Sequence, residues 1–302
     1  MPDQAVRTDI EATYKSREIE GFLDLHFYRK VGFQLARFFA WARFTPNGVT
    51  LLGTLIGIGA GHLYFYRDLG TNVVGMCFHV FANALDNADG QLARLLRRQS
   101  ASGRVLDGIG DNLVYVSIYV HLCLRVMAEG GSPGVWAIAL LAGLSHRWQS
   151  AAAEFYRDAY LRFAVGKIRS LELSADLRQY EAVKWSGKLL LKLHLGYVTE
   201  QEMLCPCLVR LEARARRTFA SGLPQAFRDL YRQRSRTLLH FFFLLRTNTR
   251  MLLLFLLLFV GQPVWYFMVE LLALNLLLLV LAFRQNAICR GLEPLVTADA
   301  SD

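Results

Sequence analysis

Patterned cysteine is absent from this chain, which removes two classes of function. The five cysteines, Cys77, Cys123, Cys205, Cys207 and Cys289, are scattered over 302 residues. A zinc site needs a second ligand pair of matching spacing, and Cys205-Pro206-Cys207 has none. Three cysteines lie in or beside apolar stretches, where the residue acts as a small hydrophobe. The expectation is reduced thiols facing a cytosolic compartment rather than a disulfide framework. A hydrophobic opening is lacking too: residues 1–20 are polar and charged, so no cleavable signal peptide is read there. A dinucleotide fingerprint is also missing. Gly57-Ile58-Gly59-Ala60-Gly61 has the glycines, but no strand precedes it. Instead Gly53, Gly57 and Gly61 repeat every four residues, a pattern that suits close helix packing.

Acidic residues are the minority sign, with 25 Asp and Glu against 34 Lys and Arg. The formal net charge is +9, and 54% of residues are hydrophobic. The mean hydropathy is +0.27. This is too apolar for an ordinary soluble domain and too charged for a pure membrane bundle. A membrane core with basic aqueous parts fits both facts. No nucleic-acid motif accompanies the basic excess, so nucleic acid is not an expected partner. Anionic lipid surfaces and phosphorylated substrates are.

About 20 apolar residues span a bilayer. Six spans are expected, near 48–66, 72–94, 105–127, 133–153, 238–260 and 263–283. Ahead of them, residues 21–44 mix apolar residues with Arg29, Lys30, Arg37 and Arg43. That reads as an amphipathic helix lying on the membrane. Pro46 then starts a new helix, with Thr45 as its cap. Lys and Arg set the orientation. Seven lie in the first 47 residues and sixteen in 155–236, whereas 67–71 holds Arg67 alone and 128–134 holds none. Both termini and the turn between the second and third spans are therefore expected on the cytoplasmic side. The fold expected is all-α and integral to the membrane. Its parts are a cytosolic and interfacial N-terminus (1–44), four spans (45–163), a basic helical insert (164–235), two more spans (236–290) and a tail (291–302). Within the insert, short apolar periodicity near 187–197 and 204–212 suggests surface helices.

Four carboxylates interrupt this apolar pattern. They fall in Asp86-x2-Asp89-Gly90-x2-Ala93-Arg94-x8-Gly103-x3-Asp107-x3-Asp111. Each Asp at mid-membrane costs about 2.5–3.5 kcal/mol, or roughly 10–14 kcal/mol for four. Something must neutralise such a cluster, and a divalent metal is the most economical candidate. Asp86, Asp89 and Gly90 lie at i, i+3 and i+4 on one helix face. Asp107 and Asp111 share a face of the next helix. A polar turn joins the two helices, so antiparallel pairing aims both acidic faces at each other. All-oxygen donors suit Mg, Ca or Mn rather than Zn.

This spacing resembles the signature of the CDP-alcohol phosphotransferases, integral-membrane enzymes of phospholipid head-group synthesis, at each fixed position. Thr45-Pro46-Asn47-Gly48-Val49-Thr50 also resembles the start of that family's first membrane helix. The resemblance covers residues 45–163 well and 236–290 by helix pattern. It implies displacement of CMP from a CDP-linked substrate by a hydroxyl, with Mg or Mn, two ions, as cofactor. It implies Asp86, Asp89, Asp107 and Asp111 as metal ligands, with Asp111 also the general base. It implies that Asn47, Thr50, Gly90, Ala93, Arg94 and Gly103 meet the CDP moiety. A homodimer is implied as well.

The acceptor is less specified. Arg147 and Arg157 follow the fourth span and have two readings, positive-inside topology or a clamp on an anionic acceptor. Arg246 and Arg250 lie one turn apart beside Asn248 and Thr249, which favours a pocket over snorkelling. His146 is read as structural before catalytic. The N-terminal segment, the insert and these arginines resemble the family branch that uses inositol phosphate. Glycerol phosphate, serine, inositol, choline and ethanolamine stay open, as does whether CDP marks the lipid or the head group. Two readings from other classes stand beside the enzyme. One is an ion-coupled transporter, which needs acids spread along a path. The other is a membrane scaffold, which has no use for four clustered aspartates.

Overall fold

A computed structural model describes residues 17–166, 203, 205–219 and 222–297. Every regular element among them is helical. The helices are α1 (Arg29–Trp41), α2 (Pro46–Leu63), α3 (Leu69–Leu95), α4 (Ala101–Ala128) and α5 (Val135–Tyr160). They continue as α6 (Pro206–Thr218), α7 (Gln225–Phe242), α8 (Thr247–Phe259), α9 (Trp265–Met268) and α10 (Asn275–Thr297). Two compact units are distinguished. One holds Met1–Gly143 and Met251–Met268, the other Leu144–Arg250 and Val269–Asp302.

In the first unit, local chemistry sets the helix ends. The Thr45 hydroxyl accepts from the Gly48 amide at 3.1 Å, the cap expected from sequence. Asp68 caps α3 through the Thr71 amide at 2.7 Å, and Ser100 caps α4 through the Gly103 amide at 3.0 Å. Helix α1 packs Ala36 and Phe39 with Val49 of α2 and Leu85, Ala88 and Leu92 of α3. Phe38 and Trp41 point outward. The glycine row of α2 serves two neighbours. A Cβ on Gly53 would sit 3.2 Å from Leu85 Cβ of α3, and one on Gly57 would sit 2.5 Å from Val114 Cγ2 of α4. At Gly61 it would meet Ser117 Oγ at 2.5 Å and the Ile118 amide nitrogen at 2.8 Å.

The second unit is built on aromatic packing. Tyr156 stacks on Phe242 with centroids 4.1 Å apart, and Phe163 packs on Tyr231 at 5.1 Å. The buried Glu212 of α6 accepts from Arg162 Nε through both oxygens at 3.1 Å. Residues 206–218 bear out a helix in the 204–212 part of the insert, whereas 187–197 lies outside the described residues. Cys205, Cys207 and Cys289 are buried and free. Burial pushes the Cys205 thiol up to about 12, which keeps it protonated and unreactive.

Membrane crossing is where the helices depart from expectation. Trp265–Val296, 32 residues that include an 18-residue stretch of mean hydropathy 2.3, is long and apolar enough to cross. The span expected at 238–260 is two helices, bent by 46°. The break falls at Arg246, whose backbone is extended, with φ −94° and ψ 164°. Thus one helix, or two if the bent pair counts as one, meets the measure among the described residues, not six. Helices α2 to α5 have 18 residues or more, at least about 27 Å. Their inward faces spend positions on Gly, Asn, His and Asp, which lowers their hydropathy.

Gly61→Ala tests the close approach of α2 and α4. Its methyl would press on the α4 backbone, which cannot rotate away. We expect a loss of about 1–3 kcal/mol, read as a lower Tm, whereas Ala at the open Gly108 position should be nearly silent.

Candidate functional site

The α3–α4 turn is closed by backbone geometry as well as by composition. Helix α3 stops with Arg97 in the left-handed region at φ 52°. The Arg98 amide donates back to the Ala93 carbonyl at 2.9 Å, a Schellman stop made without glycine. Ser100 then caps α4, so the C-terminal end of one acidic helix meets the N-terminal end of the other.

Three of the four carboxylates converge. Ligand oxygens of Asp86, Asp89 and Asp107 all lie within 4.8 Å of one another. Asp86 shares a side-chain hydrogen bond with Asp107 and lies within electrostatic reach of Asp111. Asp89 is buried, Asp107 half-buried, and Asp86 and Asp111 exposed. Thr50, expected to meet the nucleotide, places its hydroxyl on Asp89 and also on the Pro46 carbonyl at 3.1 Å. A ligand carboxylate that accepts such a bond is fixed in orientation. The donor set is all oxygen, closely spaced and open on one side. It fits Mg2+ or Mn2+.

The small residues of the motif border the same place. A Cβ on Gly90 would meet only the Arg94 guanidinium, at 3.5 Å and beyond. A Cβ on Gly103 would lie 3.0 Å from Ser100 Oγ and 3.3 Å from Asn47 Oδ1, which brings Asn47 to the start of α4. Ala93 is half-buried. Arg94 has a buried Nε with no hydrogen-bond partner.

Sequence reading missed what packs against the acidic end of α3. Glu20 holds Arg29 through two bonds, from Nε at 2.8 Å and Nη2 at 2.9 Å. Gln91 is fully buried and donates to the Arg29 carbonyl at 3.2 Å. Arg29 falls in the segment whose pattern reads as an amphipathic face, and no spacing rule links Glu20 to a helix that starts some fifty residues later.

The arginines considered for an acceptor belong to the second unit and have diverse surroundings. Arg147 is exposed. Arg157 pairs with Asp158 at 2.8 Å and Glu154 at 2.9 Å. Burial works against its charge, but the two carboxylates outweigh it and raise its pKa. Arg246 lies over the Phe243 ring at 5.4 Å. Arg250 does not line an open face with Arg246. It is 1% exposed and pairs with Glu270, while also donating to Gln149 and to the Leu245 carbonyl. His146 Nδ1 lies 3.2 Å from Glu270, and Gln149 donates to Asn275 at 2.7 Å. Glu270 lies on the π-helical segment Val269–Leu274, a local widening that periodicity does not reveal.

Comparison with known proteins places this geometry. Residues 43–169 match the family model described as CDP-alcohol phosphatidyltransferase. That segment is similar to a CDP-alcohol phosphatidyltransferase domain. It contains α2 to α4, the acidic hairpin and the whole of α5. Two curated relatives align with the chain. The bifunctional IPC transferase and DIPP synthase of Thermococcus kodakarensis is 28% identical over 166 residues, covering 55% of this chain. The protein of the same name from Aquifex aeolicus is 27% identical over 157 residues, covering 49%. In each case the match spans 35% of the relative's own length.

Two measurements check the site. Titration with Mg2+ or Mn2+ should raise Tm, because ligand at a hundredfold over its Kd adds about 2.7 kcal/mol to the folded state. Asp86→Asn or Asp107→Asn should abolish that rise, and a full shift in either variant would rule out the carboxylate cluster as the metal site. Separately, Arg250→Ala should destabilise by about 3–5 kcal/mol, since it strands the buried Glu270 charge. Unfolding of Arg250→Ala, compared with the doubly substituted Arg250→Leu/Glu270→Leu, checks this: the double variant should recover much of the loss.

Proposed function

We propose that this chain is a membrane phosphotransferase that displaces CMP from CDP-diacylglycerol by the hydroxyl of an alcohol acceptor. The observation that carries the reading is the meeting of Asp86, Asp89 and Asp107 within 4.8 Å inside a segment similar to a CDP-alcohol phosphatidyltransferase domain. The new bond joins the acceptor oxygen to the lipid-bearing phosphorus. The bond from that phosphorus to the CMP oxygen breaks. Asp86, Asp89, Asp107 and Asp111 hold the metal, expected as two Mg2+ or Mn2+ ions. Bound there, the ions supply positive charge to the pyrophosphate and the departing CMP. Asp111 takes the proton of the attacking hydroxyl. Gly90, Ala93 and Gly103 leave room for the nucleotide, and Asn47 and Arg94 donate to it. Thr50 acts through Asp89, whose carboxylate it orients. Positioning and electrostatics do most of the work in such transfers.

The acceptor is proposed to be a phosphorylated polyol of the inositol phosphate type. Arg147, Arg157 and Arg246 are its candidate partners, and Arg250 contributes through Glu270 and Gln149. In this reading six helices cross the bilayer, the metal site and both termini face the cytoplasm, and the chain pairs as a homodimer. A choline-, ethanolamine- or glycerol-phosphate-type transferase is the nearest alternative. An ion-coupled transporter fits less well, because the acids gather at one end of a helix pair rather than along a path.

CMP release decides among these. Purified protein with CDP-diacylglycerol, Mg2+ or Mn2+ and a panel of alcohols should release CMP with one acceptor preferred and none in excess EDTA. Release with CDP-choline but not CDP-diacylglycerol would move CDP to the head group. No release with any pair would leave the transporter reading. Within the same assay, Gly90→Leu should fold normally yet lose most CDP-substrate binding, because the leucine fills the face next to Arg94.

A further inference from the structure

At the end of the first unit remote from the acidic hairpin, two histidines from different helices meet. His62, in the last turn of α2, places Nδ1 3.2 Å from Nε2 of His121 on α4. About 21 Å of helix along α4 separates His121 from Asp107, so the pair is no part of the carboxylate site. The ring centroids stand 5.0 Å apart with their planes at 84°, so edges meet rather than faces. His62 is exposed and His121 half-buried.

The far nitrogens of both rings have partners of their own. His121 Nδ1 lies 2.7 Å from the Ser117 carbonyl oxygen, which can only accept. The proton of a neutral His121 is therefore on Nδ1, and Nε2 turns a bare lone pair toward His62. His62 Nε2 has the Tyr66 hydroxyl at 3.4 Å. Two facing lone pairs repel, so either a proton on His62 Nδ1 or a bound cation must stand between the rings. Imidazoles that ligate metal usually give their other N–H to a carbonyl, as His121 does.

The backbone sets the distance between them. A Cβ on Gly61, one residue before His62, would lie 2.8 Å from the Ile118 amide nitrogen, less than a turn before His121. The Ser117 hydroxyl donates to the Ile58 carbonyl at 2.9 Å across the same contact. The two helices are thus pressed together where the histidines leave them, and rigid elements make precise sites. Two nitrogens bound to one tetrahedral ion, each about 2.0–2.1 Å from it, stand about 3.3 Å apart. The 3.2 Å observed is close to that bite. Imidazole nitrogen suits Zn2+, Cu2+ and Ni2+, whereas Mg2+ and Mn2+ prefer oxygen.

We propose that His62 and His121 form a second metal site, for Zn2+ and its late first-row neighbours, which joins α2 to α4 at the end opposite the carboxylates. Water or a small anion completes the coordination on the exposed side of His62. The proposal is independent of the CDP-substrate reading.

The test uses full-length protein free of any purification tag. Zn2+ is titrated by calorimetry in excess Mg2+ into the wild type, His62→Gln, His121→Gln and His240→Gln. Zinc that displaces Mg2+ from the carboxylates does so in every variant and cancels in the comparison. The wild type and His240→Gln, which alters an exposed histidine of α7, should each bind one more zinc per chain than His62→Gln and His121→Gln. Both site variants should keep the Mg2+-induced rise in Tm. Equal zinc binding in all four proteins would overturn the proposal. Pulsed electron paramagnetic resonance of the wild type with Cu2+ gives a readout that needs no variant. It should show a copper ion coupled to two imidazoles, and copper coupled to one imidazole or none would also overturn the proposal.

Discussion

Mutual repulsion among four aspartates is the constraint around which the first unit is organised. Asp86, Asp89 and Asp107 bring oxygens within 4.8 Å of one another, and Asp111 stands within reach. Carboxylates this close are tolerated when positive charge joins them or protons are shared between them. The surrounding structure holds the arrangement in place. Thr50 pins Asp89, Ser100 starts α4 at a fixed point, and Arg97 turns α3 off through a left-handed residue. The glycine row of α2 lets both acidic helices approach closely enough for their carboxylates to meet. Each device is small, but without them the two acidic faces would drift apart.

The second unit solves a related problem by different chemistry. Its buried charges are paired inside the protein. Arg250 meets Glu270, His146 leans on the same carboxylate, and Arg162 meets Glu212. Such pairs are weak sources of net stability but costly to break, so they fix geometry. The contrast separates two uses of charge. The aspartate cluster gathers like charges in one place, as a cation site must. The arginine–glutamate centres pair opposite charges, as a scaffold does.

Much of this was legible in the sequence. The i, i+3 and i+4 spacings placed the carboxylates on facing helix surfaces, and the polar turn predicted their antiparallel meeting. Thr45 was readable as a cap, and Gly53, Gly57 and Gly61 as a packing face. These features depend on local periodicity. The stop of α3 was not legible as such, because Arg97 adopts the left-handed conformation usually left to glycine. The break at Arg246 was hidden for a similar reason: nothing in Arg246-Thr247-Asn248 forbids a helix, yet the backbone at Arg246 is extended.

The sequence by itself determined an all-helical chain, the acidic hairpin and the chemistry its donors can serve. Helical period and side-chain type act over a few residues, and they suffice for these features. Only the tertiary structure decided which distant residues meet. Glu20 pairs with Arg29, whose carbonyl is held by Gln91 of α3, and Glu270 comes to Arg250 and His146 from a π-helical segment. The physical reason is that burial makes an ion pair necessary without naming its partner. A buried guanidinium must find an anion, but which carboxylate reaches it depends on how whole helices pack.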